Sequence, residues 1–241
     1  MKTEQTSLSL SYMSLVYLFA ALLLIVIIGF FKTYFVFFPG FDQFRFAHHF
    51  HAFFMVLWLL VLIVQPLLIS KGLNRMHKAV GKSSYFIASL TALSIFMVSR
   101  QAFYHPPVPN LPEIVRYAMQ ALSLPNLFAF VAFYLLAISN TSNTPAHMRY
   151  MMGTAILMLG PGLGRILTNY AGIPFPGAVI PIKLIELGLV AALLIYDARK
   201  KNPTGPAKII TTVIVMTTIL WVFRFTPLWQ PFARIFADIF Y

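Results

Sequence analysis

Cysteine does not occur in this chain, so disulfides, thiolate metal ligands and cysteine nucleophiles are all excluded. Carboxylates are nearly as scarce: six Asp and Glu stand against 18 Lys and Arg in 241 residues. Charged residues make up only 10% of the chain, where a soluble domain carries about a quarter. A water-facing surface cannot be built from so few. What the chain has instead is apolar, with 59% of its residues hydrophobic. A net charge of +12 would point to nucleic acid in a soluble protein. In so hydrophobic a chain it reads as loop charge that sets topology, and no nucleic-acid partner is expected.

A helical span needs about 20 mostly apolar residues. Seven segments meet that length, at 11–31, 47–70, 83–103, 119–139, 150–170, 179–197 and 208–225. The expected fold is therefore all-α, a single integral membrane domain of seven helices surrounded by lipid. Glu4 interrupts the basic start, the apolar run is long, and no small-residue cleavage site follows. The first span is accordingly read as a retained helix and not as a signal peptide. Lys2, Lys71, Arg75, Lys78, Lys82, Arg149, Arg199, Lys200, Lys201 and Lys208 fall on one side, and Lys32, Arg45, Arg116 and Arg234 on the other. The richer side faces the cytoplasm, which places the N-terminus inside and the C-terminus outside a bacterial inner membrane. Residues 226–241 (TPLWQPFARIFADIFY) mix aromatics with Arg234 and Asp238 and read as an outer interfacial segment.

Ionisable residues inside a membrane are costly and mark functional candidates. His51, Trp58 and Gln65 recur every seven residues on the second span and share one helix face. That face should point into the bundle, because a lipid-facing amide would lack partners. His48 and His51 are three apart and project together, His49 faces away, and His105 arrives from the end of the third span. These four are candidates for an outer zinc or copper site, or else interfacial residues facing water. His77 and His147 open the third and fifth spans near the inner surface. They are candidates for axial ligation of a b-type haem, or else anchors at headgroup level, with Lys78, Lys82 and Arg149 as a phosphate-facing patch. The run GPGLGR at 160–165 predicts a kink at Pro161 with Arg165 beside it. Lys183 and Glu186, three apart, can pair. With Arg100, Trp58 and Gln65 these residues outline a candidate pocket for an anionic or lipidic ligand.

The stretches HFHAFFMVLWLLVLIVQPLLI (49–69), HKAVG (77–81) and HMRYMMGTAILMLGPGLGR (147–165) resemble a group of uncharacterised bacterial multi-pass membrane proteins. That group is akin to a larger family known only as a domain of unknown function. The resemblance covers the second to fifth spans and implies that His49, His51, His77, His147 and Arg165 occupy pattern positions. It implies no activity. Di-haem membrane cytochromes place histidines in a similar way, but the fourth span here has none to complete a second pair. Adiponectin-receptor-like hydrolases use three histidines with an intramembrane Asp. The last span here has no His-x-x-x-His, and no Asp is expected inside the membrane.

Three functions are left standing by the sequence. The first is a membrane protein holding haem or a transition metal through histidine, for redox or electron-transfer work. The second is a metal-dependent hydrolase acting on lipid. The third is non-enzymatic binding or transport of an anionic or lipidic small molecule. Oligomeric state and catalytic residues are not legible.

Overall fold

The computed structural model describes residues 11–106 and 108–241. Lys2 and Glu4, which entered the topology and signal readings, lie outside the described residues. The chain is all-helical among those residues. In order, the helices are α1 (Tyr12–Phe31), α2 (Phe46–Ser70), α3 (Asn74–Tyr104), α4 (Glu113–Ser139), α5 (Thr144–Asn169), α6 (Phe175–Arg199), α7 (Gly205–Val222) and α8 (Gln230–Phe240). A short 3-10 turn, Phe35–Phe37, follows α1. The first seven are long and apolar enough to cross a membrane. Large apolar side chains such as Phe53, Phe86, Leu135, Leu184 and Ile195 are exposed on their outer faces, where lipid replaces water. This is a multi-pass membrane protein with lipid as its immediate partner.

Most helices begin or end beyond the apolar stretch that identifies them. α3 starts at Asn74 and α5 at Thr144, each well before the hydropathic boundary. The physical reason is that backbone groups near a membrane must be bonded internally, so a helix continues through polar residues until it reaches a cap. For α5 that cap is Asn143, whose side chain accepts from Ala146 N–H, with Pro145 suited to the first turn. α7 stops earlier than expected, at Val222, where a turn leads toward Pro227. Pro161 does not interrupt α5, which is one helix from end to end.

α5 is the centre of the bundle, touching α1, α2, α4, α6 and α7. Its core neighbours are Trp58, Leu59, Phe130 and Phe133, all almost fully buried. The α1–α5 crossing is a backbone-to-backbone contact. A Cβ on Gly162 would lie 3.1 Å from Val26 Cα, and one on Gly29 would overlap the Gly162 carbonyl. Small residues at such crossings let membrane helices approach closely and gain dispersion contacts. α8 packs along α4 through Ala233 and Ala237. Its exposed side carries Ile235, Ile239 and a loose Arg234–Asp238 pair at 3.9 Å.

Candidate functional site

Two ends of the bundle carry polar side chains. At one, here the His48 face, α1, α3 and α5 end and α2 begins. At the other, the His77 face, α3 and α5 begin.

The loop before α2 is rich in aromatics, and these enclose His49. Tyr34, Phe41 and Phe44 surround its ring at centroid distances of 5.7, 5.2 and 6.1 Å. The Tyr34 hydroxyl bonds His49 Nδ1 at 2.6 Å, and burial raises the Tyr34 pKa above its ordinary value. His48 is used locally, its Nδ1 accepting from the Arg45 backbone N–H at 3.0 Å, which satisfies a donor at the helix start. His51 reaches across to Ser94 of α3 at 3.1 Å. His105 faces the Arg45 guanidinium at 2.9 Å. The four candidate metal ligands are thus engaged by three different residues, Arg45 holding His48 through its backbone and His105 through its guanidinium. Among the described residues no three His, Cys, Asp or Glu side chains converge in a metal-binding arrangement.

Between the start of α2 and the end of α3 lies an open cleft of about 550 Å³. Arg45, Arg100 and His105 form its polar rim, and Leu93, Phe96 and Met97 its apolar floor. The Arg100 Nε donates to the Tyr241 carbonyl at 2.8 Å. The Tyr241 hydroxyl enters a polar cluster between α3 and α4, bonding Ser99 at 2.7 Å and Gln120 at 2.9 Å. Burial there pushes its pKa up to about 12, so the phenol stays protonated and donates. The C-terminal segment therefore positions one of the two rim arginines.

At the His77 face the polar contacts tie helices together. With its amide turned to suit both neighbours, Gln65 donates to His77 Nδ1 and to the His77 carbonyl, and accepts from Gly81 N–H at 2.8 Å. In this arrangement the His77 proton sits on Nε2, the tautomer opposite to the one a metal-bound Nε2 requires. His147 Nδ1 bonds the Ala137 carbonyl at the end of α4, 2.8 Å away, the geometry of an anchor. Arg149 departs most from expectation. Rather than facing headgroups with Lys78 and Lys82, it points inward, 3% exposed. It holds Asp197 through two bonds, 2.9 Å from Nε and 2.5 Å from the terminal nitrogen. Asp197, at the end of the sixth expected span, is fully buried within α6. Bidentate geometry suits a guanidinium to a carboxylate in low dielectric, and Asn202 adds a third bond at 3.1 Å.

The six side chains grouped as a ligand pocket do not share one. Trp58 donates to Thr154 at 3.3 Å in the core, and Gln65 is bound to α3. Lys183 and Glu186 are buried as a pair, 2.8 Å apart, with Thr217 of α7 at 3.3 Å from the ammonium. Gly160 of α5 leaves room for the Glu186 carboxylate. Arg165 lies over the Phe30 ring at 3.9 Å. Only Arg100 lines the cleft. Sequence reasoning missed Arg45 as a rim residue, because it was counted as loop charge. It missed Asp197 because DARKK at 197–201 reads as a basic helix end.

With this geometry in view, the chain was compared with known proteins. No family model, no curated protein and no solved structure matches it.

Proposed function

We propose that this protein binds or moves an anionic amphiphile through the cleft between α2 and α3. One observation carries the reading: two arginines and a histidine rim an open cleft whose floor is apolar. A guanidinium pair recognises a phosphate or carboxylate head by charge-assisted hydrogen bonds, and Leu93, Phe96 and Met97 accept the adjoining hydrocarbon. The aromatic Tyr104 beside Arg100, 5.5 Å from ring centroid to guanidinium, suits the boundary between head and tail. The histidines support this reading better than a shared cofactor, since each is already engaged with a separate helix or loop group.

Arg100→Ala and Arg45→Ala should each weaken binding of a single-chain anionic lipid about tenfold, the loss of one charge-assisted contact. Isothermal titration of the purified protein with that lipid in neutral-detergent micelles would measure it. A neutral detergent of equal chain length should bind wild type and variants alike. If the anionic probe also shows no difference, the cleft is not its site.

The reading also includes an orientation. The basic residues flanking the His77 face, among them Arg75, Lys78, Lys82 and Lys200, favour the cytoplasm of a bacterial inner membrane for that face, so the cleft opens toward the periplasmic leaflet. Reporter fusions after residues 72 and 201 should score as cytoplasmic, and fusions after 110 and 241 as periplasmic. The reverse pattern would move the cleft to the inner leaflet.

A further inference from the structure

We propose that His105 makes anion capture in the α2–α3 cleft proton-linked, so that an anionic head enters together with a proton and both leave as the pH rises. This rests on the reading of that cleft as an anion site and adds its regulation. One contact carries it. Arg45, at the start of α2, reaches His105 at the end of α3, with one terminal nitrogen 2.9 Å from Nε2 and the other 3.4 Å from Nδ1. Both side chains are exposed and both line the cleft. A guanidinium has donors only, so the closer contact needs a bare ring nitrogen. Nε2 therefore accepts, Nδ1 carries the proton, and the imidazole is neutral. In that state a neutral ring occupies part of the fork that an anion would use. Arg100 is placed differently. Its Nε donates to the Tyr241 carbonyl at 2.8 Å, and its terminal nitrogens have no hydrogen bond among the described residues.

Protonation reverses the contact. An imidazolium carries N–H on both nitrogens, so the bond becomes two donors of like charge facing each other. An oxyanion between them accepts from both and offsets the repulsion. Proton and anion thus favour each other's binding by the same factor. The bound anion strengthens proton binding at His105, so the gain in anion affinity is full in acid and is lost as pH rises through the imidazole range. The charged and titratable groups that share the rim with His105 are Arg45, Arg100 and Tyr104. His48 meets Arg45 only at its backbone N–H. Other titratable groups at this face are engaged elsewhere: His49 with Tyr34, His51 with Ser94, Glu113 with Tyr117 and Asp238 with Arg234. Asp42 is exposed in the loop before α2. No described carboxylate forms an ion pair with Arg45 or His105, so an incoming anion displaces none. Among the described residues His105 belongs to no metal-binding group, and its ring is free to titrate.

The probe is lysophosphatidylglycerol, a single-chain lipid whose phosphodiester keeps its charge throughout the imidazole range. It would be titrated calorimetrically into the purified full chain in neutral-detergent micelles, from about pH 5 to about pH 8. Each titration would be run in two buffers of different ionisation enthalpy, which counts the protons taken up. Wild type should bind about tenfold tighter at the acid end, the worth of one charge-assisted contact, with proton uptake on binding. In His105→Gln the amide oxygen still accepts from Arg45 but takes no proton, so the acid gain and the proton uptake should both vanish. His105→Lys has a fixed charge and should bind tightly at both ends of the range, again without uptake. Should His105→Gln fail to fold, His105→Lys decides. Equal affinity of wild type at both ends, or an acid gain that persists in the folded variants, overturns the proposal. Failure of the cleft reading looks different, because Arg45→Ala and Arg100→Ala would then bind the lipid as wild type does at every pH.

Discussion

Valine in place of Gly29 is expected to unseat α1 from the bundle. The added Cβ would overlap the Gly162 carbonyl, and neither partner can yield, because both are helix backbone. Overpacking of a core costs about 1–3 kcal/mol when side chains can shift; here the expected cost is at the top of that range or above. At about 2–4 °C per kcal/mol for a chain of this size, the melting midpoint should fall by about 6–12 °C. Gly188→Val is the control, because nothing lies within 4 Å of a Cβ there. Both can be measured by intrinsic fluorescence in one detergent. Identical midpoints for the two variants would mean that α1 and α5 do not meet at Gly29.

Removal of the Asp197 carboxylate is the other severe lesion. Asp197→Ala leaves Arg149 buried without its counter-charge, and breaking a buried pair from one side costs about 3–5 kcal/mol. Asp197→Asn should cost less, since an amide oxygen still accepts from the guanidinium. The double variant Arg149→Met/Asp197→Leu should recover most of the loss, because two apolar side chains need no solvation. Folded yield and melting midpoint of the four proteins would establish this. A double variant no more stable than Asp197→Ala would show that Arg149 and Asp197 are not a pair. The contrast with Arg224 is instructive. That side chain also lies over an aromatic ring, Trp221 at 4.0 Å, but it is at a helix end and bonds a carbonyl there, so its loss should be mild.

The seven spans were legible because hydropathy integrates over some twenty residues, and no local exception can outweigh such a run. The stripe of His51, Trp58 and Gln65 was legible for a related reason. A spacing of seven holds one helix face, and each of the three does reach a neighbouring helix. What helix periodicity cannot convey is which residue on another helix stands opposite. Ser94, Thr154 and the Gly81 backbone are unremarkable in sequence, yet they decide whether a histidine or an amide is free for a ligand. The same limit explains Arg149 and Asp197. Each sits in a basic, polar stretch that suits a loop, and only the turn of α5 toward α6 makes them partners. Arg45 was hidden by the reverse effect, a loop residue made into a rim by the end of a distant helix. The cleft is thus a property of packing, and the sequence held its components without their assignment.

Gln65 adds something about how such a bundle comes together. Its carboxamide bridges the His77 carbonyl and the Gly81 N–H, the two ends of a single helical turn, much as a peptide unit would. α2 and α3 are consecutive, so this closure needs no other part of the chain and can form as the hairpin enters the membrane. The Gly29–Gly162 contact is the opposite case, because its halves are over half the chain apart. Until α5 has been synthesised, α1 lacks the groove into which its glycine fits. The α2–α3 closure is thus local in the chain, whereas the first helix cannot dock on the fifth until the fifth has been made.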